Sequence, residues 1–275
     1  MTVVDVVMRC RNEMPWAERA LAALAEQDGV DARVLFIDCD SSDGSREAAE
    51  SAGVEIVDFD PRQYVPGVVL NLGMERTETD VVAFINADAI ALLPDALQRL
   101  IAPLVDPTVA ATYARQVARP DADAQTRADY ERAFPAWAEL ETRFGEFFSM
   151  AASAIRRDAW ETLPFDPQLR YSEDVDWTHR LRLLGWRVGY VADAPFEHSH
   201  DYDLRGELKR RRGEGTADRL IYRIGPPSVV RDLMRPLAGS LLRDARAGLL
   251  RPRYVANRVA QAFGYYDGRR RDGFR

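Results

Sequence analysis

The chain has 275 residues, 47% apolar and 29% charged, a balance that suits one α/β domain with an extension and excludes a fibrous or disordered chain. No run of about 18 apolar residues marks a membrane span. The net charge of −7 hides an asymmetry, because residues 205–275 hold 18 basic and 7 acidic side chains, a balance of +11 against −18 for the residues before them.

An acidic body with a basic C-terminal part predicts that the tail meets something anionic: a phospholipid surface, a phosphorylated acceptor, or the acidic body itself. No nucleic-acid partner is expected. The N-terminus opens on Val3-Val-Asp-Val-Val7 with no basic leader, which predicts a cytoplasmic protein, peripheral at the inner face of the membrane if the tail binds lipid. Cys10 and Cys39 have no metal-knuckle spacing and read as free thiols.

In chain order, Val3 to Met8 predicts a buried strand. Pro15 to Gln27 predicts a helix with Trp16, Ala20, Leu24 and Gln27 on one face and Gly29 past its end. Arg33 to Ile37 is a second strand, followed by Asp38-Cys-Asp-Ser-Ser-Asp-Gly-Ser45, a polar loop in which Asp43 or Ser45 is placed to cap a helix running to Ser51. Val54 to Val57 and Val81 to Ile85 read as strands three and four, and a helix opens at Pro94. Strands alternating with helices predict a mostly parallel sheet with ligands at the carboxyl ends of its strands, where Asp38 and Asp88 fall.

A strand is expected from Val109 to Tyr113, then an aromatic, helix-rich segment to Phe144, and a return toward the sheet over Phe147 to Ile155. Val175 to Leu184 reads as a helix closed by Gly185, and Arg187 to Val191 as a short strand. From Leu204 the chain reads as helical, interrupted at Gly225-Pro-Pro227. Gly213 and Gly215, after the basic run Lys209-Arg-Arg-Arg212, suggest a mobile loop.

The chemistry concentrates in Arg170-Tyr-Ser-Glu-Asp-Val-Asp-Trp177, Asn86-Ala-Asp88 and His198-Ser-His200. Acidic residues at strand ends, joined by histidines around one divalent cation, are what sugar transfer from a nucleotide diphosphate requires, since charge builds on the leaving β-phosphate. An acceptor hydroxyl must also lose its proton to a base. Glu173 and Asp176 lie near enough in sequence to raise the pKa of Asp174 by like-charge repulsion. Helix capping is the alternative role for Asp174 and Asp88.

The motifs Val7-Met-Arg-Cys-Arg-Asn-Glu13, Asp38 to Ser45, Val69-Leu-Asn-Leu-Gly73, Asn86-Ala-Asp-Ala89, Thr112-Tyr-Ala-Arg-Gln116, Ser153-Ala-Ile-Arg-Arg157, Glu173-Asp-Val-Asp-Trp177 and His198-Ser-His200 stand in one order over about residues 3 to 215. In that order they resemble the family 2 glycosyltransferases of GT-A fold, in the rhamnosyltransferase-like branch. The resemblance implies a GT-A catalytic domain over 1–204, its donor-binding part about 1–115 and its acceptor-binding part about 116–204, with 205–275 as a basic helical extension. It implies an inverting, metal-dependent transfer from a nucleotide-sugar donor, dTDP-rhamnose or a GDP- or UDP-hexose, to a glycan or lipid-linked acceptor.

Carried over position by position, Asp38 and its loop hold the base and ribose, Asp88 matches the second carboxylate of the metal motif, and His198 or His200 matches a third, C-terminal ligand of Mn²⁺ or Mg²⁺. Asp174 matches the catalytic base, and Trp177 an aromatic residue that shapes the acceptor pocket. Arg9, Arg11, Asn12, Glu13, Asp40, Asn71, Asn86, Ala87 and Arg156 complete the expected donor site, with Arg157 and Lys209 to Arg212 as further phosphate contacts. Cys39 stands where the family's base-binding loop has a second Asp, and Ala87 where many members have a metal-motif Asp. A nucleotidyltransferase of similar sheet would show a Gly-rich phosphate loop near the first strand, which Arg9-Cys-Arg-Asn-Glu13 is not. A non-catalytic carbohydrate-binding relative would have lost the base or the metal carboxylate, and a dehydrogenase needs a G-x-G-x-x-G after a strand.

Overall fold

The computed structural model describes residues 1–137 and 147–274. Its elements are β1 (Thr2–Cys10), α1 (Trp16–Ala25), β2 (Val30–Asp38), α2 (Ser45–Ser51), β3 (Glu55–Asp58), α3 (Pro66–Arg76) and β4 (Val81–Ile85). Then come β5 (Ile90–Ala91), α4 (Ala96–Ile101), β6 (Val109–Val117), α5 (Ala124–Ala133), β7 (Ala152–Arg156), α6 (Arg157–Thr162), α7 (Glu173–Leu183) and β8 (Arg187–Glu197). Helices α8 (Leu204–Ile221), α9 (Arg235–Arg246) and α10 (Pro252–Arg269) follow. Of the aromatic segment expected to Phe144, α5 forms the start, and 138–146 lie outside the described residues.

The strands form one sheet in the order β3-β2-β1-β4-β7-β6-β8-β5. Pairs β3–β2, β2–β1, β1–β4 and β6–β8 are parallel, whereas β7 runs antiparallel to β4 and β6, and β5 to β8. Cys10 lies opposite Asp38 and Val7 opposite Phe84, so β2, β1 and β4 end side by side. Loops leaving those ends build the site.

Alternation along each strand divides the core between the two faces. Val6, Met8, Phe36 and Ile85 pack with Leu21 and Leu24 of α1 and Leu97 of α4, while Val7, Ile37, Val82 and Phe84 pack with Leu70 of α3 and Trp177 of α7. Burial on both faces explains why β1 and β4 read as continuous apolar runs. Helix α3 opens with Pro66 at its first turn, and its glycines permit close approach: a Cβ on Gly67 would collide with the Asp166 carbonyl, and one on Gly73 with Val7.

Neither Asp43 nor Ser45 occupies the cap position of α2, although Asp43 satisfies the first amide of the helix. The cap position is Gly44, at φ 101°, and the Asp43 carboxylate accepts from the Met14 and Ser45 backbone amides. Asp88 is no cap either, since α4 is preceded by Asp95.

By its contacts the chain divides into two units, Met1–Pro120 with Tyr130–Gln168 and Glu173–Ser199, and Asp121–Asp129 with Leu169–Ser172 and His200–Arg275. In the second unit Gly213 and Gly215 lie inside α8, so the expected mobile loop is a helix. They are packing glycines: a Cβ on Gly215 would strike the Tyr265 carbonyl of α10, and one on Gly268 the Arg212 carbonyl of α8. Gly215→Ala is expected to cost about 1–3 kcal/mol, the scale of overpacking. At Gly225 an added Cβ meets nothing within 4 Å, so Gly225→Ala should stay within about 0.5 kcal/mol. Paired thermal melts check both.

Candidate functional site

Two loops leave β1 and β2 side by side and are stitched together by backbone amides. Asn12, in the left-handed region at φ 59°, donates its N–H to Ser41 Oγ and accepts from the Ser42 amide at Oδ1, and the Glu13 amide donates to Ser45 Oγ. Asp38, 2% exposed, accepts from the Ser41 amide at 3.2 Å and pairs with Arg46 at 3.5 Å. Asp40 takes a left-handed turn at φ 63°, and Arg11 is exposed. Cys10 and Cys39 are buried free thiols, pushed up to about 11, first by burial.

Arg9, at the end of β1, ties the motifs together. Its Nε donates to Asn86 Oδ1 at 3.4 Å and its Nη1 to Glu173 Oε1 at 3.4 Å. Asn86 in turn donates its amide to the Ala151 carbonyl, and the Met150 amide donates to Asp174 Oδ2 at 3.1 Å. The strand-end acidic motif and the Glu173-Asp174 pair, 86 residues apart by their Asp numbers in the sequence, thus converge on one arginine and one short segment.

Asp88 is 3% exposed, and its Oδ2 lies 3.5 Å from His198 Nε2 and 3.1 Å from Arg119 Nη2. His198 Nδ1 meets Gln116 Oε1 at 2.8 Å, while the Gln116 amide nitrogen donates to Ser149 Oγ. That relay makes Nδ1 the protonated nitrogen and turns the Nε2 lone pair toward Asp88, the arrangement in which an outer hydrogen bond prepares a histidine for a metal. Carboxylate oxygen and imidazole nitrogen suit Mn²⁺ or Mg²⁺, with diphosphate and water completing the shell. Asp88 and His198, both in the first unit, are among residues that could hold a metal ion, whereas His200 opens the last segment of the second unit.

Arg119 had no sequence signal. Buried to 8% exposure just past β6, it donates to the Asp88 carboxylate, the Asp88 carbonyl and the Ser199 carbonyl, with its guanidinium carbon 3.9 Å above the Trp16 ring. It fixes the Asp88 turn to the segment carrying His198. Gln116 was visible only as the end of a motif, because its role depends on β6 lying beside β8.

Asp174 sits in the first turn of α7 and accepts from the Val175 amide at 2.8 Å as well as from Met150. Burial, and then the charge of Glu173, pushes its carboxyl up to about 7. Asp176 takes no part in that shift and instead pairs with Arg180 at 2.7 Å. Burial and the charge of Asp88 push Glu13 up to about 7 too.

Several expected residues serve the fold instead. Arg156 stands opposite Val81, at the start of β4 rather than its end, and is held by Asp158 and the Leu104 carbonyl; neighbouring Arg157 donates to the Met74 and Thr79 carbonyls. Asn71 clamps Trp160 and Phe165. Trp177 is wholly buried against Phe165 and donates to the Leu163 carbonyl, and Ala87 lies in the core. Arg210, Arg211 and Arg212 pair with Glu207, Glu214 and Asp267.

The mixed sheet, with parallel strands that end in a stitched loop pair, has the GT-A fold. The mannosyltransferase PcManGT of Pyrobaculum calidifontis, solved with GDP-Man and Mn²⁺, matches 95% of this chain and 86% of its own at TM-score 0.69 and 20% identity. TarS 1–349 of S. aureus, in complex with UDP, matches 98% and 90% at TM-score 0.58 and 15% identity. The model of glycosyl transferase family 2 matches residues 5–163, and the chain belongs to that family. The O-antigen chain rhamnosyltransferases RfbN of Salmonella typhimurium and WbaN of Salmonella anatum are 29% and 28% identical to it over 69% and 68% of its length. The chain spans 64% and 63% of those relatives.

Proposed function

We propose that this protein is an inverting, metal-dependent glycosyltransferase that moves a sugar from a nucleotide diphosphate to a hydroxyl of a glycan or lipid-linked acceptor. The observation that supports the reading is that Arg9 ties Asn86 to Glu173, and the segment Met150-Ala151 ties Asn86 to Asp174, which joins the strand-end motif of Asp88 to the Glu173-Asp174 pair. Two rhamnosyltransferase relatives make dTDP-rhamnose the first donor to test.

The loops after β1 and β2 cradle the nucleoside, with the Asp38 carboxylate and the turns at Asn12 and Asp40 facing it. Asp88 and His198 are the proposed ligands of a divalent cation, Mn²⁺ or Mg²⁺, with His200 the alternative to His198; the cation would supply positive charge to the diphosphate as it leaves. Arg119 keeps the Asp88 turn in place. The acceptor hydroxyl oxygen bonds to the anomeric carbon from the opposite side as the bond to phosphate breaks, the electron pair going to the phosphate oxygen and the hydroxyl proton to Asp174. One displacement inverts the configuration.

A base must be ionised, so kcat/KM should rise with pH through about 7, the value to which burial and Glu173 bring Asp174. The linkage to stability has the opposite sense. A carboxyl raised from 3.8 favours the fold while protonated, and that contribution is lost as pH climbs through about 7. A pH–rate profile with saturating metal tests this. The acid limb should persist in Glu13→Gln, and a flat profile between about pH 6 and 8 removes Asp174 as the base.

We also propose that residues 205–275 meet an anionic membrane at the inner face of the cell envelope, where a lipid-linked acceptor is presented. No helix among the described residues is long and apolar enough to cross a membrane.

A further inference from the structure

The positive balance of the second unit is not spread evenly. Arg210, Arg211 and Arg212 share Glu207, Glu214 and Asp267, and Arg258 is buried between Asp129 and Asp244. Over residues 229–251 the pattern differs. The exposed charged side chains there are all arginines: 231, 235, 243, 246 and 251. The two acids of this stretch are occupied, Asp232 by Arg269 and Arg231, Asp244 by Arg258 and Gln125.

The same stretch exposes large apolar side chains. Val230 is 70% exposed, Met234 53%, Leu242 52% and Leu250 55%, an apolar set that falls within the same arginine-bearing stretch. On α9, Arg235, Ala238, Leu242, Ala245 and Arg246 recur at helical spacing and are all exposed, while Leu237, Ser240, Leu241 and Asp244 turn inward. The outward face is therefore apolar at its centre with only cationic charge at its margins.

We infer that this face, residues 229–251, is the docking surface for an anionic phospholipid bilayer, its Val, Met and Leu side chains entering the boundary between headgroups and acyl chains and its arginines meeting lipid phosphates. The inference deepens the proposed contact of residues 205–275 with a membrane and rests on it. The occupant is anionic lipid because an exposed face carrying arginine as its only charged type complements negative phosphate, and guanidinium groups fork onto phosphate oxygens. The apolar set is too small to anchor alone. Binding is therefore reversible and salt-sensitive, since the attraction decays over about 8 Å at physiological ionic strength.

Co-sedimentation of the full chain with vesicles of phosphatidylcholine, or of phosphatidylcholine with phosphatidylglycerol, at low and high salt tests it. Wild-type protein should sediment only with the anionic vesicles and be released by salt. Met234→Glu combined with Leu242→Glu should cut the bound fraction at least about tenfold, through lost burial and charge repulsion together. Val105→Glu, at an apolar residue 86% exposed in the first unit, should leave binding unchanged. Binding to neither kind of vesicle overturns the membrane contact as a whole, and equal partitioning to neutral and anionic vesicles overturns anionic lipid as its occupant. Anionic binding that survives the double substitution overturns this face and leaves the contact to other residues. A wild-type dimer that the double substitution splits in gel filtration identifies the face as a self-interface and also overturns the inference.

Discussion

Asp174→Asn is expected to lower turnover by at least about 10²-fold while leaving nucleotide-sugar affinity within a few-fold, the pattern of a lost general base. The carboxylate accepts from two backbone amides, Met150 at Oδ2 and Val175 at Oδ1; asparagine matches its shape and keeps one of these bonds but accepts no proton, and a thermal melt reads the cost of the other. Its neighbour Glu173 is engaged by Arg9 and does not substitute for it. Initial rates and donor titrations on the two proteins decide the matter. Near-normal turnover assigns Asp174 to holding the first turn of α7, the capping role that its bond to the Val175 amide also fits.

Asp88→Ala should weaken Mn²⁺-dependent donor binding by at least about 10²-fold, because loss of a ligand exceeds the 10- to 100-fold effect of losing an outer-shell partner. The alanine also strands Arg119, whose buried guanidinium donates to that carboxylate, so part of any loss is structural. Asp88→Asn separates the two effects: it keeps an oxygen for Arg119 but removes the anionic ligand, and donor binding should still fall. His198→Ala should follow the Asp88 change more fully than His200→Ala, because Gln116 holds His198 in the ligating tautomer. Calorimetric titration with a nucleotide sugar, with and without Mn²⁺, reads each variant. Donor binding indifferent to the metal in wild-type protein contradicts the assignment.

Much of the framework was legible because burial leaves a pattern in sequence. β1 and β4 are covered on both faces and so read as unbroken apolar runs, and the helix before Gly185 carries its own stop signal. Helix α3 was not seen, because Gly67 and Gly73 look like breakers in sequence and only the structure shows them admitting Asp166 and Val7. Gly213 and Gly215 misled for the same reason. A glycine needed for helix packing and a glycine needed for mobility are identical in sequence.

The antiparallel insertion of β7 between β4 and β6 depends on pairings across long sequence separations, which local periodicity does not encode. The site followed the same division. Asp38, Asp88 and Asp174 stand out in sequence because they sit in ordered motifs next to strand and helix ends, and the roles of Asp88 and Asp174 at the site are what the substitutions above test. Arg119 and Gln116 do not, since their roles exist only once β6 lies beside β8. Arg156 was misread because guanidinium chemistry suits phosphate anywhere, and only its register opposite Val81 shows it at the wrong end of the strand.

The most direct test of the central claim is release of nucleoside diphosphate from a panel of nucleotide sugars, dTDP-rhamnose first, incubated with the protein and Mn²⁺ in the absence of acceptor. The account predicts slow cleavage of at least one donor, abolished by a chelator and by Asp88→Ala. Cleavage that continues undiminished under chelation, or a panel left intact with metal present, would contradict it.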